Sequence, residues 1–258
     1  MKNFGSSILN QKEIAIGYRE MTISWPQSLE APLPGQFLTV KVTENPAPLL
    51  RRPFALSGFD REKNTASLIY QLRGPATRLM ATLEINSSIE VLSPLGNNFT
   101  LPEKDETPLL VAGGIGLGPV LYLARELDKN GFSPRLVVGG RTESFLPDLS
   151  NLKNGSIHYC SDDGSAGFRG TAVDYLKSLD WKELPSARLY SCGPQGMLNA
   201  CHNLALEKNI PSEVSMEQMM ACGVGACMGC AIEVIGPEQY ARVCKEGPVF
   251  DSRRIKWT

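Results

Sequence analysis

Four of the seven cysteines in this 258-residue chain lie close together in the sequence. Cys222, Cys227 and Cys230 fall on one short stretch, and Cys244 follows after 13 further residues. Residues 216–258 contain few residues that build an apolar core, so a segment this short needs another source of stability. Thiolates bind metals, and metal binding contributes directly to folding free energy. The sequence therefore predicts a C-terminal segment that is ordered around a metal centre.

The spacing of these cysteines favours one kind of centre. The pattern C-x4-C-x2-C with a distant fourth cysteine is typical of plant-type [2Fe-2S] clusters. Gly223, Gly225 and Gly229 permit backbone conformations in which amide groups turn towards the sulfurs. Structural zinc is the alternative, but zinc ribbons use paired CxxC knuckles, and this chain has one CxxC. The predicted ligands of a [2Fe-2S] cluster are Cys222, Cys227, Cys230 and Cys244.

The rest of the chain divides into two regions. Residues 1–103 contain short alternating runs separated by turn-rich stretches, which is typical of a small antiparallel β-barrel. Residues 104–215 alternate strands with helices, which predicts a doubly wound parallel α/β sheet with helices on both faces. The predicted strands of this second region cover 108–113, 136–139, 157–160 and 189–192. The predicted helices of the chain cover 77–83, 119–130, 171–178 and 197–208.

Composition excludes several classes of function. Lys and Arg total 26 against 27 Asp and Glu, so the chain lacks the positive field that a nucleic-acid partner requires. The uncharged run from Thr107 to Ala124 has the length of a membrane span, but its glycines and Pro119 favour a strand, a turn and a helix. The N-terminal residues lack a secretory signal, and the odd cysteine count argues against a disulfide framework. We therefore expect a cytoplasmic protein that does not enter a membrane.

Two short motifs in the α/β region indicate a nucleotide site. Gly114, Gly116 and Pro119 form G-x-G-x-x-P between a predicted strand and a helix, where backbone amides and the helix dipole can bind a pyrophosphate. Tight packing of the turn is the alternative explanation of these glycines. The second motif, Cys192-Gly193-Pro194, follows the last predicted strand, at the carboxyl edge where doubly wound sheets bind their ligands.

These motifs resemble those of the ferredoxin reductase-like flavoproteins, in which G-x-G-x-x-P and C-G-P line the nicotinamide site. The resemblance implies that Cys192 lies close to the nicotinamide ring, with Gly193 and Pro194 beside it. The flavin motif of that family, Arg-x-aromatic-Ser/Thr, has its counterpart in Arg52-Pro53-Phe54-Ala55. Arginine would pair with the FAD pyrophosphate and the aromatic ring would pack on the flavin. Ala55 departs from the pattern, because it lacks a hydroxyl group near the reactive flavin nitrogen.

The same resemblance implies two more flavin elements. The stretch from Gly74 to Thr77 occupies the place of the family's phosphate turn, with Ala76 in place of the second glycine. Ile69, Tyr70 and Gln71 precede it and would line the isoalloxazine ring or the ribityl chain. The motifs therefore occur in the family's order, with two substitutions at the flavin site.

Nearly the whole chain resembles the electron-transfer subunits of two-subunit, NAD-linked dihydroorotate dehydrogenases of pyrimidine biosynthesis. The cysteine run 222–230 and the residues 242–251 carry the most specific part of the resemblance. It implies an oxidoreductase subunit with FAD and a [2Fe-2S] cluster as cofactors and NAD(H) as substrate. It also implies a catalytic partner subunit that contains FMN and oxidises dihydroorotate, in a heterotetramer of two plus two subunits.

Three other functions remain open. A subunit of an NAD(P)H:ferredoxin or sulfide-type oxidoreductase has the same layout, although by resemblance that family often lacks one of the four cysteines. A stand-alone NADH:acceptor reductase would leave the cluster without an electron acceptor. A zinc-stapled binding protein without enzymatic activity is suggested by Ala55 and Ala76. NADH is favoured over NADPH by resemblance only, and Arg141, which follows a predicted strand, leaves that choice open.

Overall fold

The computed structural model describes residues 1–43, 47–149 and 152–257. Six antiparallel strands close into a barrel in the order β1-β2-β5-β4-β3-β6. These strands are β1 (Lys2–Ala15), β2 (Tyr18–Ser24), β3 (Phe37–Lys41), β4 (Arg52–Asp60), β5 (Thr65–Gln71) and β6 (Ser88–Leu95). Inward-facing residues such as Leu38, Val40 and Leu68 form the barrel core, because alternate residues of a strand face opposite sides.

The short helix α1 (Pro75–Ala81) follows β5. It begins two residues before the predicted start, since Pro75 fits the first helical turn, where its missing N–H is not needed. Ala76 and Met80 turn inward and close one end of the barrel. The predicted barrel with one short helix is confirmed.

A second sheet is formed after the barrel in the sequence. Its strands are β7 (Thr107–Gly113), β8 (Arg135–Gly140), β9 (Ser156–Ser161), β10 (Phe168–Arg169), β11 (Ala187–Cys192), β12 (Ser212–Ser215) and β15 (Val249–Asp251). The helices are α2 (Leu117–Lys129), α3 (Ala172–Ser178) and α4 (Gln195–Lys208), and a hairpin is made by β13 (Ala231–Glu233) and β14 (Tyr240–Arg242). The order β10-β9-β8-β7-β11-β12-β15 is parallel from β10 to β12, which confirms the predicted α/β class.

The C-terminal segment joins this sheet, which the sequence did not indicate. β15 pairs antiparallel with β12 and covers its edge. The segment is therefore continuous with the α/β sheet as well as being the carrier of the cysteine cluster. The division at residues 1–103, 104–215 and 216–258 stays a prediction.

Helix α2 joins the barrel to the sheet. Its residues Leu121 and Leu123 pack in the sheet core, while Tyr122 packs in the barrel core and donates a hydrogen bond to the carbonyl oxygen of Pro32 at 2.5 Å. Within the described parts of the chain, no helix is long and apolar enough to cross a membrane.

Candidate functional site

A cavity of about 890 Å³ lies at the carboxyl ends of β7, β8, β9 and β11. Gly114 of the first nucleotide motif and Gly193 and Pro194 of the second line it from the sheet. Tyr18 and Gln71, which face each other on β2 and β5, line it from the barrel. The cavity is therefore bounded by the nucleotide motifs, by β2 and β5 of the barrel and by residues 231–233 and 255–256 of the C-terminal segment.

The two nucleotide motifs touch each other through their glycines. A Cβ atom at Gly116 would lie 2.1 Å from the carbonyl oxygen of Cys192, and a Cβ atom at Gly193 would lie 2.9 Å from that of Gly113. Gly114 has a φ of +55°, in the left-handed region. Pro119 is buried in the first turn of α2. The glycines at 116 and 193 thus allow the two turns to pack backbone against backbone, and the joined turns form a cradle whose cavity side, at Gly114, Gly193 and Pro194, suits a pyrophosphate.

Cys192 lies at the end of β11, between Ala112 of β7 and Ser215 of β12. Its side chain is buried, and burial raises the pKa of the thiol far above its usual value. The thiol is therefore neutral at physiological pH. It is an apolar neighbour of the cavity wall and not a nucleophile.

The flavin motif lies on β4. The guanidinium group of Arg52 donates to the carbonyl oxygen of Leu50 at 2.6 Å. Phe54 is half-buried: one side of its ring packs on the barrel core and meets Tyr70 edge-on, with ring centroids 6.0 Å apart. Pro53 and Ala55 face the opposite side, because they pair across the strands with Thr39 and Phe37. Arg52 and Phe54 therefore lie on one face of β4, and Pro53 and Ala55 lie on the other face.

The residues of β5 also alternate. Ile69 packs in the core of the α/β sheet, and Gln71 lines the cavity. Between them the side chain of Tyr70 points into the barrel, where its hydroxyl donates to Oε1 of Gln11 at 2.7 Å and burial raises the pKa of Tyr70 to about 12. Contact between Tyr70 and a cofactor outside the barrel is thus limited to its backbone.

The predicted phosphate turn is ordered by Thr77. Its hydroxyl oxygen accepts from the backbone N–H groups of Arg73 and Gly74 at 3.0 and 3.2 Å, and it donates to the carbonyl oxygen of Gly74 at 3.1 Å. Ala76 is buried in the barrel core. The hydroxyl is therefore used by the turn itself, which leaves backbone N–H groups at the start of α1 to face an anion.

The four cysteines of the cluster motif form two pairs of thiols. Sγ of Cys230 lies 3.2 Å from Sγ of Cys244, and the side chain of Cys227 is close enough to Cys222 to help lower the pKa of the Cys222 thiol. Within the described residues, no three His, Cys, Asp or Glu side chains converge as a single-ion site requires. Two thiol pairs fit two irons, each with two thiolate ligands, better than they fit one zinc ion.

Backbone amides point at these sulfurs. Val224 N–H lies 3.4 Å from Sγ of Cys222, Gly225 N–H 3.2 Å from Sγ of Cys244, and Gly229 N–H 3.5 Å from Sγ of Cys227. The amide of Val224 lowers the pKa of Cys222 to about 6, whereas burial raises the pKa of Cys244 to about 12. Donors aimed at sulfur are what a negatively charged cluster needs, so this donor set fits the group.

The cluster loop rests on the barrel. Phe37 and Leu95 of the barrel pack in one core with Cys230 and Cys244. Asn97, just after β6, donates to the carbonyl oxygens of Glu246 and Val249 at 3.1 and 2.8 Å and accepts from Val249 N–H at 2.9 Å. The loop is thereby fixed against β3 and β6, and β3 is the strand next to the flavin motif.

Three further residues of the site were not predicted. Tyr18, Arg73 and Glu217 all line the cavity. The side chain of Glu217 is exposed to the cavity. The surrounding protein atoms still exclude part of the water around its carboxyl group, and this raises the pKa of Glu217, while the positive charge of Arg73 acts in the opposite direction. The signal that finds Glu217 is its position just beyond the carboxyl end of β12, the same edge that carries the nucleotide motifs.

The sequence is similar to known proteins over almost its whole length. Residues 217–256 match the family described as the iron-sulfur cluster binding domain of dihydroorotate dehydrogenase B. The dihydroorotate dehydrogenase B (NAD(+)) electron transfer subunit of Desulforamulus reducens is 33% identical over 99% of both chains. That of Geobacillus kaustophilus is 38% identical over 96% of both. The chain belongs to this family of electron transfer subunits. The predicted resemblance, oxidoreductase class and iron–sulfur flavoprotein type are thereby confirmed.

Solved structures agree with this placement. An NADH-dependent reduced ferredoxin-NADP oxidoreductase, described as a flavin-based electron-bifurcating protein, aligns with a TM-score of 0.83 and 26% identity over 98% of this chain and 90% of that one. A ferredoxin reductase of carbazole 1,9a-dioxygenase aligns with a TM-score of 0.70 at 17% identity over 81% of this chain and 67% of that one, which shows the shared fold. The name electron transfer subunit implies a catalytic partner for the family's members.

Proposed function

We propose that the chain carries electrons between NAD(H) and a partner subunit by way of FAD and a [2Fe-2S] cluster. The observation that carries this proposal is the placement of the cluster loop on β3, next to the flavin strand β4, while the nucleotide cavity meets the barrel at Tyr18 and Gln71. FAD supplies the conversion between two-electron hydride transfer and one-electron steps, which NADH and a cluster cannot make directly.

The nicotinamide nucleotide is held, in this proposal, by the backbone cradle. Gly114, Gly116 and Pro119 shape the turn that receives the pyrophosphate, and Gly193 and Pro194 close it from β11. Cys192 acts by occupying space under the nicotinamide ring, because its thiol is buried and neutral. In this role the thiol of Cys192 does not transfer a proton.

FAD binding is assigned to β4, β5 and the start of α1. Arg52 would bind the pyrophosphate and Phe54 would contact the flavin, while Pro53 and Ala55 form the strand's other face. Further contacts are assigned to Ile69, Tyr70, Gln71, Ala76 and Thr77. With Ala55 in the hydroxyl position, either a backbone N–H group would serve the reactive flavin nitrogen or the reactivity of the flavin would differ from that in the family.

The cluster is assigned to the four cysteines Cys222, Cys227, Cys230 and Cys244, whose thiolates would hold it. Cys227 is exposed, and so are Met219 and Met228 nearby. The cluster edge therefore opens to the surface, as electron transfer to another protein requires. We assign that partner as an FMN-containing subunit that oxidises dihydroorotate to orotate, in a cytoplasmic heterotetramer of two plus two subunits.

Reconstitution tests this function. The purified chain should contain FAD, iron and acid-labile sulfide, and with the FMN subunit it should support dihydroorotate-dependent reduction of NAD. Absence of flavin and iron would refute the redox assignment altogether. Ferredoxin reduction by NAD(P)H without any dihydroorotate activity would instead favour the alternative that the likeness to the ferredoxin-NADP oxidoreductase suggests.

A further inference from the structure

Thr39 lies in the middle of β3 and faces out of the barrel. Its neighbours Leu38 and Val40 point into the barrel core. Phe37, two residues before it on the same face, packs with the cluster cysteines. Because alternate residues of a strand share a face, the side chain of Thr39 is directed at the C-terminal segment.

The surroundings of Thr39 connect the two redox sites. Across the strands it pairs with Pro53 of the flavin motif and with Leu92 of β6. On its outer side, the methyl carbon Cγ2 lies 3.1 Å from the position that a Cβ atom would take at Gly223, the residue after Cys222, whereas the hydroxyl oxygen lies more than 4 Å from that position. Thr39 therefore stands between the flavin strand and the cluster loop, in contact with both.

The hydroxyl group of Thr39 is enclosed and unused. The residue is 2% exposed, and among the described residues Oγ1 has no hydrogen-bond partner. By contrast, Thr22 on β2 pairs its hydroxyl with that of Ser67 at 3.2 Å. A buried hydroxyl without a partner is unfavourable, so each such group calls for an explanation. The neighbours Pro53 and Leu92 offer no polar side chain.

We propose that Thr39 is a positioning residue for the cluster: rotation of its side chain by about 120° about χ1 turns the hydroxyl to the cluster loop, where it would donate a hydrogen bond to a sulfur atom of the cluster or of its Cys222 ligand. This rests on the proposed cluster site. Hydrogen bonds to sulfur favour the reduced, more negative state and so raise the reduction potential. In this apolar environment the bond is strong. Thr39 would thus ease electron transfer from the flavin side to the cluster.

The test is a redox titration of the cluster in the full-length protein with Thr39→Val, which replaces the hydroxyl by a methyl group of similar size. We expect a lower potential, corresponding to a change of up to about tenfold in the one-electron equilibrium, which is about 59 mV. The electron paramagnetic resonance signal of the reduced cluster should shift as well. Thr39→Ser should restore both readouts, and Thr22→Val should change neither.

The outcomes separate this inference from the function on which it rests. Wild-type protein without iron and sulfide would refute the cluster site itself. A cluster with the same potential and spectrum in wild type and Thr39→Val would refute the role of Thr39 alone. If the valine variant does not load iron, Thr39→Ala removes the hydroxyl without adding bulk against Gly223, and a wild-type potential in that variant would refute the role equally.

Discussion

The contact between the two nucleotide motifs predicts a large effect of one methyl group. In Gly116→Ala, the new Cβ atom would lie 2.1 Å from the carbonyl oxygen of Cys192, whereas such contacts are essentially never shorter than 3.0 Å. The two turns must therefore separate by about 0.9 Å. Gly116 itself has φ −63° and ψ −5°, which alanine adopts freely, so the close approach is the sole cause of strain.

The expected loss follows from that displacement. A misplacement of about 1 Å in a hydride-transfer site costs roughly 100-fold in rate, or about 2.7 kcal/mol of activation free energy. The assay is anaerobic stopped-flow reduction of bound FAD by NADH at several NADH concentrations. FAD and iron contents should stay at wild-type values, because the residues assigned to FAD and to the cluster do not take part in the contact between Gly116 and Cys192.

Gly196→Ala is the matched control. Gly196 lies in the first turn of α4, next to the second nucleotide motif, and a Cβ atom there meets nothing within 4 Å. This variant should reduce FAD at the wild-type rate. A wild-type rate in Gly116→Ala, or an equal loss in both variants, would contradict the assignment of the cradle.

Three further outcomes are expected. Cys227→Ser should lose iron and sulfide but keep FAD, and simultaneous loss of FAD would show that the two sites are not separate. Asp162 lines the cavity just after β9, where its negative charge would repel the 2′-phosphate of NADPH, so Asp162→Ala should raise kcat/KM for NADPH relative to NADH by about tenfold. Asp163→Asn is the control, because the carboxylate of Asp163 accepts hydrogen bonds from Ser165 in its own turn. Glu106→Gln should lower the free energy of unfolding by about 1 kcal/mol at pH 7. Burial of the Glu106 carboxyl group raises its pKa, but the hydrogen bond from Arg188 outweighs burial and lowers the pKa below 4.5. The stability that Glu106 contributes is therefore present above pH 4.5 and is lost as the pH falls through the lowered pKa. Thermal melts of both proteins from pH 7 to pH 3 measure this loss.

The residue types and their spacing were enough to predict the motifs and the type of fold in which each motif lies. The cysteine spacing, G-x-G-x-x-P and C-G-P each require particular residues at fixed separations, and the strand–helix rhythm of the α/β region is strongly periodic. β1 was harder to predict. Of its 14 residues only Ser6 and Ile8 are buried, so its sequence has almost no alternation to recognise.

Orientation was not available from the sequence. Ile69, Tyr70 and Gln71 were predicted as one group, but a strand sends neighbours to opposite faces, and only the pairing of β5 shows that Tyr70 turns inward. Contacts between distant segments were equally hidden. The approach of Gly116 to Cys192 depends on how two turns meet in space, and no local pattern encodes that distance.

The pairing of β15 with β12 has a consequence for biosynthesis. β12 ends at residue 215, but its outer edge is covered only after the ribosome has added residues 249–251. Until then the nascent α/β sheet has an unpaired edge, the kind of surface that recruits other strands. Because residues 222–244 are synthesised in between, the cysteine-bearing stretch emerges before the sheet is closed.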